Sequence, residues 1–239
     1  MLKDGWQIRA KELAAGSGRW CKGFVKAGFG GTAEDILTES WQDLTDATYI
    51  NGLKVQASGK EFVVSHVGTE CTTFSTAANP PYRDRSDEGV AGLADVLRHP
   101  DKGPIVRSAN TQADNTAILL LHYAKCHILS SCENPANSIL WEYWEKRGWL
   151  TLLHNAGYRF HKTHYCWYGT RYQKATKILS NYPIPQKPCR HASHPEVLKG
   201  KVRTKFGWKS QTKMANPYPH GLVRDWVRSV LAALAARYA

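Results

Sequence analysis

The sequence predicts an α/β protein built on a mostly parallel sheet. Strand candidates rich in apolar and β-branched residues alternate with helix-patterned segments, the order that βαβ units produce. The 239 residues suit one such domain with a small insertion. Apolar residues make up 42% of the chain, with nine Trp and eleven Tyr, a composition that excludes a disordered chain.

The elements follow in order. Residues 8–15 read as a short strand, followed by the tight loop Gly16-Ser17-Gly18. Residues 19–27 read as a helix with Trp20, Phe24 and Ala27 on one face and Gly28 as its stop. Residues 30–36 are a second strand candidate with an acidic end. Residues 61–67 have the pattern of a buried strand and lead into Gly68-Thr69-Glu70-Cys71. Residues 76–114 are rich in Pro, Gly, Asp and Arg and read as a long loop with a short helix near 89–98. Residues 116–125 read as a helix, and residues 127–132 as a strand that stops at Glu133-Asn134-Pro135. Another helix is expected over 143–156, and a pair of strands over 158–168 and 175–179. Residues 181–210 are Pro- and Lys-rich and read as irregular. A long helix closes the chain over 222–238, with Leu222, Val223, Trp226, Val227, Val230, Leu231 and Leu234 at helical spacing.

Charge points to a polyanion. Lys and Arg number 32 against 20 Asp and Glu, a formal charge of +12. Such an excess attracts nucleic acid by steering and counterion release, so nucleic acid is the expected partner. The longest apolar runs, 117–121 and 230–236, are far shorter than the roughly 20 residues that cross a bilayer, so no membrane association is expected. The start, Met1-Leu2-Lys3-Asp4-Gly5-Trp6, lacks the apolar core of a secretory signal. A monomer in the cytoplasm, or in a nucleus, is the expectation. Cys21, Cys71, Cys126, Cys132, Cys166 and Cys189 form no Cys-x-x-Cys pair and are expected to be reduced, mostly as small buried hydrophobes.

Three segments carry chemistry. Glu12 to Gly18 gives a strand, a Gly-x-Gly turn and a helix, where backbone approaches a nucleotide-like ligand closely, or where the glycines simply make a turn. Glu34-Asp35, some twenty residues on, is placed to accept hydrogen bonds from ribose hydroxyls. The loop lacks a third glycine and a basic residue for a pyrophosphate, so S-adenosylmethionine fits better than a dinucleotide. Cys71-Thr72-Thr73-Phe74-Ser75 follows a strand's carboxyl end, where a cysteine is placed for nucleophilic attack or is a buried structural residue. Glu133-Asn134-Pro135 stands at another strand end, where the carboxyl serves a heterocycle or the segment only makes a turn.

Together these segments resemble the DNA cytosine-5 methyltransferase family, in particular its small, divergent members from phages and protists. Glu12 to Gly18 is similar to the family's first cofactor motif, Cys71 with Phe74-Ser75 to its Pro-Cys nucleophile motif, and Glu133-Asn134 to its Glu-Asn motif. Ala215-Asn216-Pro217-Tyr218-Pro219 resembles the final Gly-Asn-x-x-Pro motif, and Lys174, with Arg171 nearby, falls at the Gln-x-Arg-x-Arg motif. The resemblance spans nearly the whole chain. It implies a Rossmann-like fold with a seven-stranded sheet and helices on both faces. It further implies a catalytic unit over residues 1–180, a reduced basic target-recognition insertion over 181–211, and a helix over 212–239 that completes the catalytic unit. The implied reaction is methylation of carbon-5 of a flipped cytosine in double-stranded DNA. Cys71 would attack the base, Glu133 would hold or protonate ring nitrogen 3, and Asn134 would brace the loop. Arg171 and Lys174 would contact the base or a phosphate, or be a solvated strand end. Glu12, Ala14, Gly16, Ser17, Gly18, Glu34, Asp35 and Asn216 would hold S-adenosylmethionine. The loop over 79–114 falls where the family closes a loop over the base, and Arg83, Arg85 and Arg107 would either face DNA or belong to a merely solvated loop.

Departures from the pattern define the alternatives. Glu70 stands where the family has Pro, and a carboxylate beside a thiol disfavours the thiolate; a binding-only relative is the corresponding alternative. Asn79-Pro80-Pro81-Tyr82 matches the signature of amino-group methyltransferases, but it lies about twelve residues past the strand end at Val67 and reads as a chance match. Cys189, His191 and His194, with Cys166 as a candidate fourth, have the ligand types of a zinc site. Only three are local, so they read as ordinary loop residues and no metal is expected. The remaining histidines show no pairing.

Overall fold

The computed structural model describes residues 8–198, 201–204, 207–210 and 217–238. Its main sheet holds β1 (Arg9–Leu13), β2 (Gly30–Glu34), β3 (Val64–Val67), β4 (Leu129–Pro135), β5 (Arg159–His164) and β6 (Ala175–Ser180), in the order β2-β1-β3-β4-β6-β5. β1 pairs in parallel with β2 and β3, and β3 with β4. β6 runs antiparallel between β4 and β5. The fold is thus the expected α/β class, with one reversed strand. The expected seventh strand is absent from this sheet of described residues. Between β2 and β3 the chain holds only turns and α2 (Ala47–Ser58), which leaves no segment to pair with the outer edge of β2.

Strand alternation builds two cores. Ala10, Val64 and Leu129 lie in register and point to one face. There they meet Trp20 and Phe24 of α1 (Arg19–Lys26) and Leu222, Trp226 and Val230 of α7 (His220–Tyr238). Leu13, Val67, Cys132 and Leu179 form the opposite row. That face is covered by α2, α4 (Lys102–Lys125), α5 (Leu140–Lys146) and α6 (Trp149–Asn155). The central strands β1, β3 and β4 are buried on both faces, and they bury polar residues among the apolar ones, Glu12, His66 and Glu133 included.

Several boundaries differ from the sequence reading. α2 was not anticipated; Asp46 caps it by accepting from the N–H groups of Thr48 and Tyr49, and Ile50, Leu53 and Ala57 pack inward. The stretch read as loop up to residue 114 is helical from Lys102, after a 3-10 turn (Gly89–Ala91) and α3 (Ala94–Arg98). Its buried positions there, Gly103, Val106, Ala109 and Ala113, keep helical spacing but are mostly small, so the apolar stripe is faint. β4 continues through Glu133 and Asn134 instead of stopping before them. Gly148, at φ +77°, splits the expected helix over 143–156 into α5 and α6. β5 ends at His164 and a 3-10 turn (Tyr165–Tyr168) follows. Within the segment read as irregular, β7 (Lys201–Thr204) and β8 (Gly207–Ser210) form an antiparallel hairpin.

Because β1, β3 and β4 are parallel neighbours, their carboxyl ends share one edge, where a ligand crevice forms in such sheets. The loops there are in close contact: a Cβ on Gly68 would stand 2.9 Å from the carbonyl oxygen of Ala14.

Candidate active site

The loop after β1 is shaped by left-handed residues: Ala14 at φ +48°, Gly16 at +52° and Gly18 at +61°. Ala14 carries a steric penalty there that the glycines avoid. The N–H of Gly18 donates to Ala15 O (2.9 Å), and that of Gly16 to Asp35 Oδ2 (2.8 Å). Ser17 is exposed and a Cβ on Gly16 would meet nothing within 4 Å, so the loop is open on its outer side. Lys22, one turn into α1, donates to Ser17 O (3.0 Å) and brings a cation to the loop.

Two of the expected cofactor residues are engaged elsewhere. Glu12 is 1% exposed and accepts the N–H of Cys21 at 2.8 Å, bracing the first turn of α1. Burial pushes its carboxyl up to about 7. Glu34 forms an ion pair with Lys11 and accepts from the Tyr49 hydroxyl (2.6 Å), so its oxygens are held inside the fold. Asp35 is the acid that remains at the loop. Asn216 lies outside the described residues.

Around Cys71 the structure gathers Glu133, Lys174, Tyr165 and Glu70, close enough to act on one another electrostatically. Burial, then Glu133, then Glu70 push the thiol up to about 11, while Lys174 opposes them. Glu70 does not aim at the sulfur. Its carboxylate folds back to accept from the N–H groups of Thr72 and Thr73 and from the Thr73 hydroxyl (3.0 Å). Glu133, 7% exposed, accepts from the hydroxyls of Thr176 and, at 3.4 Å, Tyr218. Asn134, fully buried, donates from Nδ2 to Thr69 O at 3.0 Å and so ties the end of β4 to the loop that carries Cys71. Its Oδ1 is buried and has no partner among the described residues. Lys174 Nζ donates to the Tyr165 hydroxyl (3.4 Å).

The sequence reading gave His66 no role, yet it is fully buried between Ser131 Oγ (3.0 Å from Nδ1) and the Tyr218 hydroxyl (2.9 Å from Nε2). Burial drives its pKa down to about 3, which keeps the ring neutral. Through Tyr218 it links the segment before α7 to Glu133. A lone histidine in an apolar strand gives no sign of this; Tyr218 lies inside the final motif-like segment, which was the available signal.

The basic residues do not match expectation. Arg171 is exposed and pairs with Glu196 at 3.1 Å, because its loop runs alongside that segment and not toward Cys71. Arg83 is 2% exposed; its guanidinium binds Thr73 O, Val90 O, Val106 O and Asn110 Oδ1 and lies 3.8 Å from the centre of the Phe74 ring. It pins the segment after Cys71 to α4, with its guanidinium bonded inside the fold. Arg85 pairs with Glu142, and Arg107 donates to Leu97 O (2.8 Å). Asn79 is exposed and lines a cavity of about 210 Å³ with Thr72, Tyr82 and Lys102; Glu133 is not part of that lining.

These features define an α/β protein with a Rossmann-like edge, an open glycine loop after the first strand, and a cysteine beside a buried carboxyl. No family model and no curated protein matches the sequence. Solved structures similar to it include the Dnmt2 methyltransferase of S. pombe, at 15% identity and TM-score 0.42, covering 76% of this chain and 52% of that one. The methyltransferase EhMeth of Entamoeba histolytica shares 10% identity at TM-score 0.38, over 80% of this chain and 58% of its own. A mutant DNMT2 of Spodoptera frugiperda shares 11% at TM-score 0.40, over 84% and 57%. The chain therefore spans 52–58% of the length of these structures.

Proposed function

We propose that this chain is an S-adenosylmethionine-dependent methyltransferase acting on carbon-5 of cytosine in DNA, with Cys71 as nucleophile. The observation that carries the reading is the tie from Asn134 to Thr69, which sets Glu133 beside Cys71 at one sheet edge. A flipped base at that edge meets a thiol and a carboxyl together.

The chain's own groups then divide the work. Deprotonated Cys71 Sγ bonds to carbon-6 of the ring, and the displaced electron pair moves toward carbon-5. Glu133 gives a proton to ring nitrogen 3, which neutralises the negative charge that attack puts into the ring, and takes it back when Cys71 leaves. When bound, S-adenosylmethionine supplies an electrophilic methyl group. Transfer of the carbon-5 proton to solvent at the open edge then restores the bond between carbons 5 and 6 and expels Cys71 as thiolate when the bond from Sγ to carbon-6 breaks. Asn134 holds the nucleophile loop, and Lys174 favours the thiolate. The open loop at Ala14, Gly16, Ser17 and Gly18, with Asp35 and Lys22 at its rim, fits the cofactor.

The charge supports a polyanionic substrate. A cleft of about 730 Å³ starts at Arg19, next to the glycine loop, and is lined by Lys187, Arg224 and Arg228. The test is transfer of label from methyl-labelled cofactor to DNA and to RNA, with the product base identified. 5-Methylcytosine in DNA is the expected product. Label in RNA alone would move the substrate to RNA, label on an exocyclic amine would favour the Asn79 alternative, and binding without label would make the chain a binding-only relative.

A further inference from the structure

Four metal-ligating side chains meet at a place that methyl transfer does not use. Cys166 comes from the 3-10 turn after β5, and Cys189, His191 and His194 from the segment after β6. Their ligand atoms all lie within 4.8 Å of one another. Cys189 Sγ stands 3.6 Å from His191 Nδ1 and 3.4 Å from His194 Nε2. Zinc bonds of about 2.3 Å to sulfur and about 2.0–2.1 Å to nitrogen give a tetrahedron with edges of about 3.3–3.8 Å. The longest edge of the cluster thus needs to close by about 1 Å. The sequence supplied three local ligands, one short of a closed site; the fold delivers the fourth.

We propose that Cys166, Cys189, His191 and His194 bind a structural zinc ion. Four protein ligands leave no open position, which is the mark of a structural and not a catalytic site. Binding takes both cysteines as thiolates and releases their protons to solvent. The surroundings hold the ligands in place. The N–H of Cys189 donates to His164 Nδ1 (3.1 Å), and the N–H of His164 donates to Lys187 O (3.0 Å). Further along, Tyr172 and Glu196 form a bridge. The ion would lock this segment to the end of β5. It would thereby fix Lys187, which lines the basic cleft, and Arg190; the two stand 5.3 and 5.2 Å from the centre of the Trp167 ring. The same anchor mounts the chain that leads into the β7–β8 hairpin.

Metal analysis of the full chain, purified without a metal-binding tag, tests this. About one zinc per chain is expected, and cobalt exchanged for it should give the visible bands of a tetrahedral ion with a thiolate charge-transfer band. Cys189→Ser and His194→Ala should each weaken zinc binding by tenfold or more, with far-ultraviolet circular dichroism unchanged, whereas Cys126→Ser should keep the metal. Should the variants fail to fold, the cobalt spectrum and zinc content of the unaltered chain decide alone. Folded protein that takes up neither zinc nor cobalt, or a disulfide between Cys166 and Cys189 in freshly purified chain, would overturn the proposal. None of these readouts depends on methyl transfer.

Discussion

Cys71 sits among groups that work against its thiolate. Burial and the carboxylates of Glu133 and Glu70 raise its pKa to about 11, and only Lys174 pulls the other way among neighbouring side chains. Alkylation of Cys71 by iodoacetamide should therefore be slow at pH 7 and rise steadily toward pH 11. Glu133→Gln should speed that alkylation by removing the stronger of the two negative charges acting on the thiol, while slowing methyl transfer by about 100-fold or more. If the variant alkylates no faster, Glu133 is not beside the sulfur in solution. Glu12 gives a second titration. Its carboxyl rises from 4.5 to about 7 on folding, so the folded chain holds this proton more tightly than the unfolded one. Its contribution is complete below about pH 4.5 and is lost as pH climbs to about 7, a fall on the order of 3 kcal/mol. Urea unfolding of Glu12→Gln across that window should show the fall removed. The proximity of Cys71, Glu133 and Lys174 could be anticipated because each follows or ends a strand or stands just before one. Arg171 and Glu34 were misread because sequence spacing does not say where a side chain points: Glu196 claims one, Lys11 and Tyr49 the other.

At the scale of elements, the segment after Cys71 is set by one buried cation. Arg83 bonds carbonyls from residues 73, 90 and 106 and the Asn110 side chain, so it joins the loop after Cys71, the 3-10 turn and α4. Arg83→Met should lower unfolding stability by about 2–4 kcal/mol, because it strands buried acceptors, and should leave the salt dependence of DNA binding unchanged. A flatter salt slope with intact stability would instead return Arg83 to a DNA-facing role. The strands of the main sheet were placed by their apolar and β-branched residues and the turns that bound them, while buried polar residues such as Glu133 and Asn134 blurred where β4 ends. α4 was cut short because Gly103, Ala109 and Ala113 bury small side chains, and α2 escaped because its inward face is only Ile50, Leu53 and Ala57. The β7–β8 hairpin carries Lys and Arg along its length, which masks strand alternation.

For the whole molecule, the +12 charge falls outside the segment where sequence placed part of it. Arg83, Arg85 and Arg107 serve the fold, whereas Arg224 and Arg228 line the open cleft beside the glycine loop. Arg224→Gln with Arg228→Gln should weaken DNA binding and flatten its salt slope by about one for each phosphate no longer neutralised; an unchanged slope would exclude the cleft as the DNA track. The crevice itself follows from topology, since parallel β1, β3 and β4 put the glycine loop, Cys71 and the Glu133-Asn134 pair on one edge. The most direct test of that arrangement is covalent capture on duplex DNA carrying 5-fluorocytosine, with S-adenosylmethionine present. Fluorine at carbon-5 blocks the proton loss that frees the enzyme, so the unaltered chain should form a denaturation-resistant DNA adduct at Cys71 and Cys71→Ser should form none. Methylation of cytosine by Cys71→Ser at the parent rate, with no adduct from either protein, would contradict the account.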